Sequence, residues 1–330
     1  MIDRFKISAG PLQVAVIGCG PWGKNLVRNF AEMGVLAAIC DADPLKAQPV
    51  STQYGVPALS EEEIFTHPTL DAVVIASLAP SHAQQAERAL KAGKHVYVEK
   101  PMTLSVADAK KLCALAEDQN RILMVGHILN YHPAFMALKE RLSELGPLKH
   151  IYANRLGLGR FRKQENVLWD LASHDVSLIL SLTQEMPHSV TATGQAYITP
   201  EKPTNALLNL NFSGNLTAHV HVSWLSPFKE QKLIVIGENG IAVFDDCKPW
   251  AEKLQISTNY LSWHDDQPHA NDDFQIEIIS SVGEPLKNEC LHFLTCIQTG
   301  EEPLTSGQEG LRVTEILEKA EHCLQIRKIS

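Results

Sequence analysis

The stretch "LQVAVIGCGPWGKN", residues 12 to 25, decides the fold of the first part of the chain. A short apolar run ends in glycine, which is typical of a buried strand in a parallel sheet. A helical pattern follows at once, with Trp22, Leu26, Phe30 and Met33 at spacings of four, four and three residues. A strand, a glycine-rich turn and a helix in this order predict the first unit of an α/β domain.

Four more apolar runs, "VLAAICDAD", "DAVVIAS", "HVYVEK" and "ILMVGH", alternate with helical stretches such as "SHAQQAERALKAG". Strands that alternate with helices imply a parallel sheet with right-handed crossovers. We therefore predict a doubly wound, Rossmann-type domain over residues 1–127. Beyond it, helices are followed by strand-like runs that alternate apolar and polar residues. Residues 128–330 are predicted to form an α+β domain with a mostly antiparallel, open-faced sheet.

The bulk composition excludes several classes of protein. The 330 residues are 45% hydrophobic and 20% charged, with a net charge of −9 and no basic block, so we expect no nucleic-acid partner. No apolar run reaches the roughly 18 residues that a membrane span needs. "MIDRFKISAGPLQ" lacks the apolar centre of a signal peptide, so we expect a cytoplasmic protein. Seven scattered cysteines predict free thiols, and no cysteine–histidine cluster has metal-ligand spacing.

Gly18, Gly20 and Gly23 have the G-x-G-x-x-G spacing and join the first strand to the first helix. In this context the first glycine permits a tight turn, the second admits a pyrophosphate, and the third lets helix and strand pack closely. Asp41 ends the second strand 18 residues after Gly23, close to the position of an acidic residue that binds the adenosine ribose. The pattern predicts NAD(H) and disfavours NADP(H). Alternatively, Asp41 caps the next helix, a role that Asp43 could also take.

The segment "HVYVEKPM", residues 95 to 102, ends an apolar strand with Glu99, Lys100 and Pro101. In a doubly wound sheet, ligands bind beyond the carboxyl ends of the strands. The lysine is therefore placed to reach a ligand, and the proline restrains the chain behind it. The alternative is an ordinary surface pair of opposite charges, which contributes little.

Together, "VAVIGCGPWGKN", "APSHAQQAERALKAGKHVYVEKPM" and "NYHPAF" resemble the Gfo/Idh/MocA family of oxidoreductases, the relatives of glucose–fructose oxidoreductase and inositol dehydrogenase. The resemblance implies that Lys100 lies beside the nicotinamide and the substrate hydroxyl, and that the Lys100–Pro101 bond is cis. It also implies NAD(H) contacts from the glycine loop, the "PSH" loop and the strand ends. These contacts are Gly18, Gly20, Pro21, Trp22, Gly23, Asp41, Pro80, His82, Glu99 and Lys100.

The family also has a D-x-x-x-H pair, which this sequence supplies as Asp170 and His174. Residues four apart share a helix face, and Ser177 and Ser181 extend that face into a polar stripe. We expect the stripe to line a wet cavity; the alternatives are an N-cap for Asp170 and a satisfied core position for His174. With the resemblance, His174 is the expected acid/base, Lys100 orients the substrate oxygen, and Asp170 contacts substrate or His174. The roles of Lys100 and His174 can be exchanged.

The segment "ANRLGLGRFRKQENVLWD" precedes this helix and resembles the branch that acts on nucleotide-linked or uronic amino sugars, including the UDP-N-acetylglucosaminuronate 3-dehydrogenases. Arginines there can hold a carboxylate or diphosphate, although a solvated basic loop is an equal alternative. The predicted substrate contacts are Arg155, Arg160, Asn166, Tyr131 and Asp170.

We therefore expect an NAD(H)-dependent dehydrogenase or ketoreductase that acts on a nucleotide-linked or acidic sugar. A free polyol such as inositol is one alternative, and a non-catalytic NAD(H)-sensing regulator is another. The open sheet of the second domain has one face to cover, and members of the family pair such sheets. We expect a dimer or tetramer formed through this sheet.

Overall fold

The computed structural model describes residues 12–159, 161–200, 202–264, 267–271, 276–280 and 282–327. The chain forms two compact units. The first unit holds the residues up to Ile128 together with Pro285–Thr314, and the second holds Leu129–Glu284 and the residues from Glu315 onward.

The first unit is built on a five-stranded parallel sheet with the strand order β2-β1-β3-β4-β5. Its strands are β1 (Val14–Ile17), β2 (Leu36–Cys40), β3 (Ala72–Ile75), β4 (His95–Glu99) and β5 (Leu123–Gly126). Its first helices are α1 (Gly23–Glu32), α2 (Pro44–Tyr54), α3 (Glu61–Thr66), α4 (Ala79–Lys91) and α5 (Val106–Asp118). The predicted Rossmann-type sheet is confirmed. The strand order reverses between β1 and β3, and sheets of this kind bind ligands at that switch point.

Local sequence accounts for these elements. Every residue of β1, β3 and β5 is buried, as expected for strands covered by helices on both faces. Asp43 caps α2 ahead of Pro44, and Ser60 with Glu63 forms a capping box at the start of α3. Among the described helices, none is both long and apolar enough to cross a bilayer.

The second unit carries a nine-stranded sheet with the order β15-β12-β11-β10-β6-β9-β8-β7-β16. Its helices are α6 (Pro133–Glu140) and α7 (Ser173–Thr183). Its strands are β6 (Leu148–Leu158), β7 (Ser189–Gln195), β8 (Asn205–Asn211), β9 (Thr217–Ser223), β10 (Leu225–Gly237), β11 (Ile241–Asp245), β12 (Leu254–Ser257), β15 (Glu277–Ile279) and β16 (Gln325–Arg327), with β13 (Leu261–His264) and β14 (Gln267–Ala270) forming a separate hairpin. Among the described strands of this sheet, only β6–β9 and β7–β16 pair in parallel, so the prediction of a mostly antiparallel sheet is confirmed.

The predicted boundary at residues 127 and 128 misses one segment of the first unit. Helix α8 (Pro285–Thr299) and the start of α9 (Gly307–Cys323) belong with the parallel sheet. The Val125 N–H donates to the Thr305 carbonyl, and the Phe293 ring packs edge-on against Tyr97 at 5.8 Å. The buried face of α8 thus completes the core of the first unit, and helical periodicity alone does not reveal which sheet a helix covers.

Candidate functional site

The glycine loop after β1 shows which of its three glycines the protein's own packing requires. Gly18 has φ +105°, and a Cβ there would lie 2.5 Å from the Ala76 carbonyl oxygen. A Cβ on Gly23 would lie 1.9 Å from the Gly18 carbonyl oxygen. No real Cβ tolerates these distances, so both glycines are needed for the turn and for the approach of α1 to the sheet.

Gly20 differs from its two neighbours in the motif. A Cβ at this position would meet nothing within 4 Å, and its φ lies outside the left-handed region. No side chain caps the N-terminus of α1, and its first turn contains no acidic residue. The N–H groups of a helix N-terminus attract anions, so this loop fits the pyrophosphate of a dinucleotide, and the open space at Gly20 is where the phosphates would approach.

Asp41 holds the loop from the end of β2. Its Oδ2 accepts the Cys19 N–H at 2.7 Å, and its Oδ1 accepts the Asp43 N–H at 2.8 Å. Asp43, in turn, caps α2 by accepting the Leu45 N–H at 3.0 Å. The alternative interpretation of Asp41 as a helix cap is therefore wrong. Its carboxylate oxygens have remaining lone pairs, and its proposed partners are the ribose hydroxyls.

Glu99 connects β4 to the glycine loop. Its Oε1 accepts the indole N–H of Trp22 at 2.5 Å and the Tyr97 hydroxyl at 3.2 Å, and its Oε2 accepts the Lys100 backbone N–H at 3.2 Å. Burial raises the pKa of the Glu99 carboxyl, while the Trp22 hydrogen bond and the Lys100 charge oppose that rise. Lys100 follows at the carboxyl end of β4 and is partly exposed. The Lys100–Pro101 bond is cis, as predicted.

The "PSH" loop opens α4, where Pro80 is exposed and His82 is buried. His82 was predicted to contact the cofactor, but it is only 1% exposed. Its Nδ1 lies 2.8 Å from the Pro101 carbonyl oxygen and its Nε2 lies 3.2 Å from the Ser77 carbonyl oxygen. Both ring nitrogens are thus engaged by backbone. These contacts tie His82 to the Lys100–Pro101 segment, and its contact with the cofactor stays a prediction.

In the second unit, a π-helical turn over Leu168–Ala172 leads into α7. Asn166 caps this turn, because its Oδ1 accepts the Leu168 N–H at 2.9 Å while its Nδ2 donates to Glu321 at 2.5 Å. The contact of Asn166 with substrate stays a prediction. The N-cap alternative for Asp170 is wrong, because Asp170 lies inside the turn and Asn166 is the residue that caps it. Such π-turns occur frequently at functional sites.

Asp170 and His174 occupy the start of the polar stripe. Asp170 accepts hydrogen bonds from the Arg162 guanidinium at 3.1 Å and from the Trp224 indole at 3.0 Å. Further along, Ser177 accepts from Asn130, and Ser181 accepts from Lys139. The C-terminal half of the stripe, Ser177 and Ser181, therefore contacts other elements of its own unit. His174 is partly exposed and stays the candidate acid/base.

The arginines that precede α7 have different environments. Arg155 on β6 is buried and binds Asp175 with two hydrogen bonds of 2.9 Å, so its guanidinium fork is committed to an internal ion pair and not to substrate. Arg160 lies outside the described residues. Arg162 is half exposed and adjoins Asp170. Tyr131 is buried in a 3₁₀ turn.

Three further candidate residues, Trp224, Tyr97 and Glu289, could not be predicted from the sequence. The indole N–H of Trp224, which directly follows β9, donates to Asp170. The sequence indicates only that an aromatic side chain with one polar group stands at the end of a strand. Tyr97 and Glu289 are joined by a 2.9 Å hydrogen bond across 192 residues, and no local pattern announces that pair.

Comparison with known families gives two matches. Residues 12–127 match the oxidoreductase family with an NAD-binding Rossmann fold, and residues 147–243 match the GFO/IDH/MocA C-terminal domain.

The individual relatives have low sequence identity to this chain. The chain is 31% identical over 189 residues to a UDP-N-acetylglucosamine 3-dehydrogenase of Acidithiobacillus ferrooxidans, covering 57% of this chain and 59% of that protein. It is 24% identical over 325 residues to an inositol 2-dehydrogenase of Rhizobium meliloti, covering 94% and 96%. A solved structure of the Acidithiobacillus enzyme superposes with a TM-score of 0.86 at 24% identity, covering 96% of this chain and 98% of that one, which shows the shared fold.

Proposed function

The chain belongs to the Gfo/Idh/MocA oxidoreductases, a family with an NAD-binding Rossmann domain, and from this premise we propose that it is an NAD(H)-dependent dehydrogenase or ketoreductase that acts on a secondary alcohol of a sugar. The observation that supports cofactor binding most directly is Gly20, where nothing lies within 4 Å of an added Cβ in a loop whose other glycines are sterically required.

The bound nicotinamide would exchange a hydride with the substrate carbon. Lys100 is placed at the carboxyl end of β4, and its cationic side chain would favour the negative charge that develops on the substrate oxygen. His174 would exchange the hydroxyl proton, since imidazole titrates near neutral pH. Asp170, held by Arg162 and Trp224, would present a fixed carboxylate to a substrate hydroxyl.

The proposed substrate class is a nucleotide-linked or acidic sugar. One relative is named for a UDP-sugar, and Arg162 is a half-exposed guanidinium next to Asp170. A free polyol is the second candidate. It is favoured by the inositol 2-dehydrogenase relative, which matches 94% of the chain, and by the commitment of Arg155 to Asp175.

Turnover of a substrate panel with NAD⁺ tests the function and separates the two substrate classes. The panel contains a UDP-N-acetylhexosamine, its uronate and free inositols, with NADH formation as the readout. Arg162→Gln is expected to raise KM more for an anionic substrate than for a free polyol, because both substrates lose the support of Asp170 but only the anionic one loses a charge partner. Lys163→Gln, which removes the same charge one residue away, is the matched control. A chain that binds NADH but turns over no member of the panel, and captures a protein partner only with cofactor, would be a regulator.

Self-association is proposed through the open face of the nine-stranded sheet. Along β8 and β10, residues alternate between a buried face and a less buried one that includes Leu207, Ile234 and Ile236. Leu207→Lys is expected to convert a dimer or tetramer into monomers in light scattering. A wild-type monomer in dilute solution contradicts the proposal.

All seven cysteines lie within the described residues and none forms a disulfide, which supports a reducing compartment such as the cytoplasm.

A further inference from the structure

The π-helical turn that contains Asp170 is bound by a carboxylate from much further along the chain. Glu321 lies in the last turn of α9. Its Oε1 accepts the side-chain N–H of Asn166 at 2.5 Å, and its Oε2 accepts the indole N–H of Trp169 at 3.0 Å. A single carboxylate therefore binds both the residue that caps the turn and a residue inside it.

This contact differs from that of an ordinary surface glutamate. An exposed glutamate on a helix is usually solvated, and Glu321 is exposed. Its two partners, however, are buried, with Asn166 at 9% and Trp169 at 3% exposure. Without the carboxylate, the indole and the amide would each lose a charged acceptor, and a buried donor without an acceptor is costly. The contact therefore holds buried groups of the turn in place.

The turn is held from two sides. Trp169 and Asp170 are consecutive residues, and consecutive side chains of a helical turn point in different directions. Trp169 is bound to α9, whereas Asp170 accepts the indole N–H of Trp224, directly after β9. His174 follows four residues after Asp170, in α7. The position of both candidate site residues thus depends on a turn that is fixed between α9 and the end of β9.

The end of α9 is itself fixed to the sheet of the second unit. The Leu324 N–H donates to the Glu321 carbonyl at 3.2 Å, and β16 begins at the next residue. In β16, Gln325 pairs with Thr193 of β7. The carboxylate of Glu321 is therefore presented by a helix end that continues into a paired strand, which makes it a fixed anchor for the turn.

We propose that Glu321 is a positioning residue, which fixes the π-helical turn through Asn166 and Trp169 and thereby the side chains of Asp170 and His174. It acts through the turn, and no proton moves to or from its carboxylate. Misplacing a reacting group by about 1 Å can lower a rate about 100-fold, so loss of the anchor is expected to lower kcat. The inference rests on the proposed function, because the roles of Asp170 and His174 do.

Exchanging the donor and the acceptor tests the contact. In Glu321→Gln, the new amide N–H₂ group faces one of the two N–H donors, so at most one of the two hydrogen bonds remains. In Asn166→Asp, two carboxylates face each other across the former 2.5 Å contact. In the double variant, the new glutamine donates to the new aspartate and accepts the Trp169 indole N–H, while the aspartate still caps the turn.

The experiment measures kcat with NAD⁺ and the panel substrate that the wild type turns over, at a temperature at which thermal unfolding shows every variant to be folded. Each single variant is expected to lower kcat about 10- to 100-fold, and the double variant to turn over faster than either. The dissociation constant of NADH stays at the wild-type value, since the glycine loop belongs to the first unit. Glu252→Gln, which removes an exposed negative charge elsewhere in the second unit, is the control with wild-type kcat.

Two results overturn the role of Glu321 and can be distinguished. If Glu321→Gln keeps the wild-type kcat, or if the double variant is no faster than the slower single variant, Glu321 does not position the turn and the proposed function stands. If the wild-type protein turns over no member of the panel, the proposed function is wrong and the role of Glu321 falls with it.

Discussion

Replacing Gly20 by alanine tests whether the glycine loop is shaped by a ligand or only by the fold. The structure leaves the space around this position open, with nothing within 4 Å of an added Cβ, and the backbone does not require glycine. An alanine whose φ fits removes freedom from the unfolded chain, so we expect stability to stay constant or rise by about 0.4–1 kcal/mol.

Gly23→Ala gives the opposite expectation for stability. Its Cβ would lie 1.9 Å from the Gly18 carbonyl oxygen, and only a shift of the main chain relieves that contact. Overpacking against backbone costs roughly 3 kcal/mol or more, a large part of the stability of an ordinary domain. Urea denaturation followed by circular dichroism measures both variants against wild type.

Gly20→Ala is expected to weaken cofactor binding although it does not destabilise the fold. A methyl group on the outer side of the loop would hold the phosphates away from the backbone N–H groups. Losing one or two hydrogen bonds to a charged group, at about 1.5 kcal/mol each, weakens NADH binding roughly 10- to 100-fold. Gly157→Ala, also in open space but on β6, is the control with unchanged NADH affinity. A Gly20→Ala protein that binds NADH as wild type does, or unfolds like Gly23→Ala, would refute the reasoning.

Three further predictions concern other residues. Lys100→Met and His174→Ala should each lower kcat/KM at least about 100-fold while NADH still binds; near-normal kcat/KM in both contradicts the assignment. Burial lowers the pKa of His95 to about 4, so the stability it supports is complete above the unfolded pKa of 6.5 and declines as pH falls from 6.5 towards 4. Partial exposure limits the effect to about 2 kcal/mol, and His95→Asn should flatten that part of a urea-denaturation pH profile. Arg155→Met should cost about 3–5 kcal/mol by isolating Asp175, without changing KM, and the double variant with Asp175→Leu should recover part of the loss; a normal stability with raised KM would restore its substrate role.

Strands and the cofactor loop were readable from the sequence because their determinants are local. A short, fully apolar run that ends in a glycine turn, such as the one before Gly18, is typical of a strand covered by helices on both faces of a parallel sheet. The Glu-Lys-Pro element could also be placed at a strand end, since strand β4 ends at Glu99. For the cofactor loop, the glycine spacing was sufficient once it was read together with the strand before it and the helix after it.

Partners chosen by tertiary packing were not readable. Arg155 looked like a substrate ligand because its buried partner, Asp175, lies 20 residues away on α7. The alternative N-cap role of Asp170 belongs to Asn166, because the helix begins earlier than the sequence indicated and Asp170 lies inside its π-helical turn. The contact of His82 with the Pro101 carbonyl, 19 residues away, could not be read from the sequence either.

The contribution of α8 to the first unit has a consequence for biosynthesis. Tyr97 finds Glu289 only after 192 further residues have been made, which at about 5–20 residues per second takes roughly 10–40 s. Until then the growing chain presents an incomplete apolar core, with Phe293 still missing from its place against Tyr97. A fragment that stops near residue 128 should therefore aggregate or require a chaperone. The unit that carries the glycine loop is completed only after residues Leu129–Glu284 of the second unit have been synthesised.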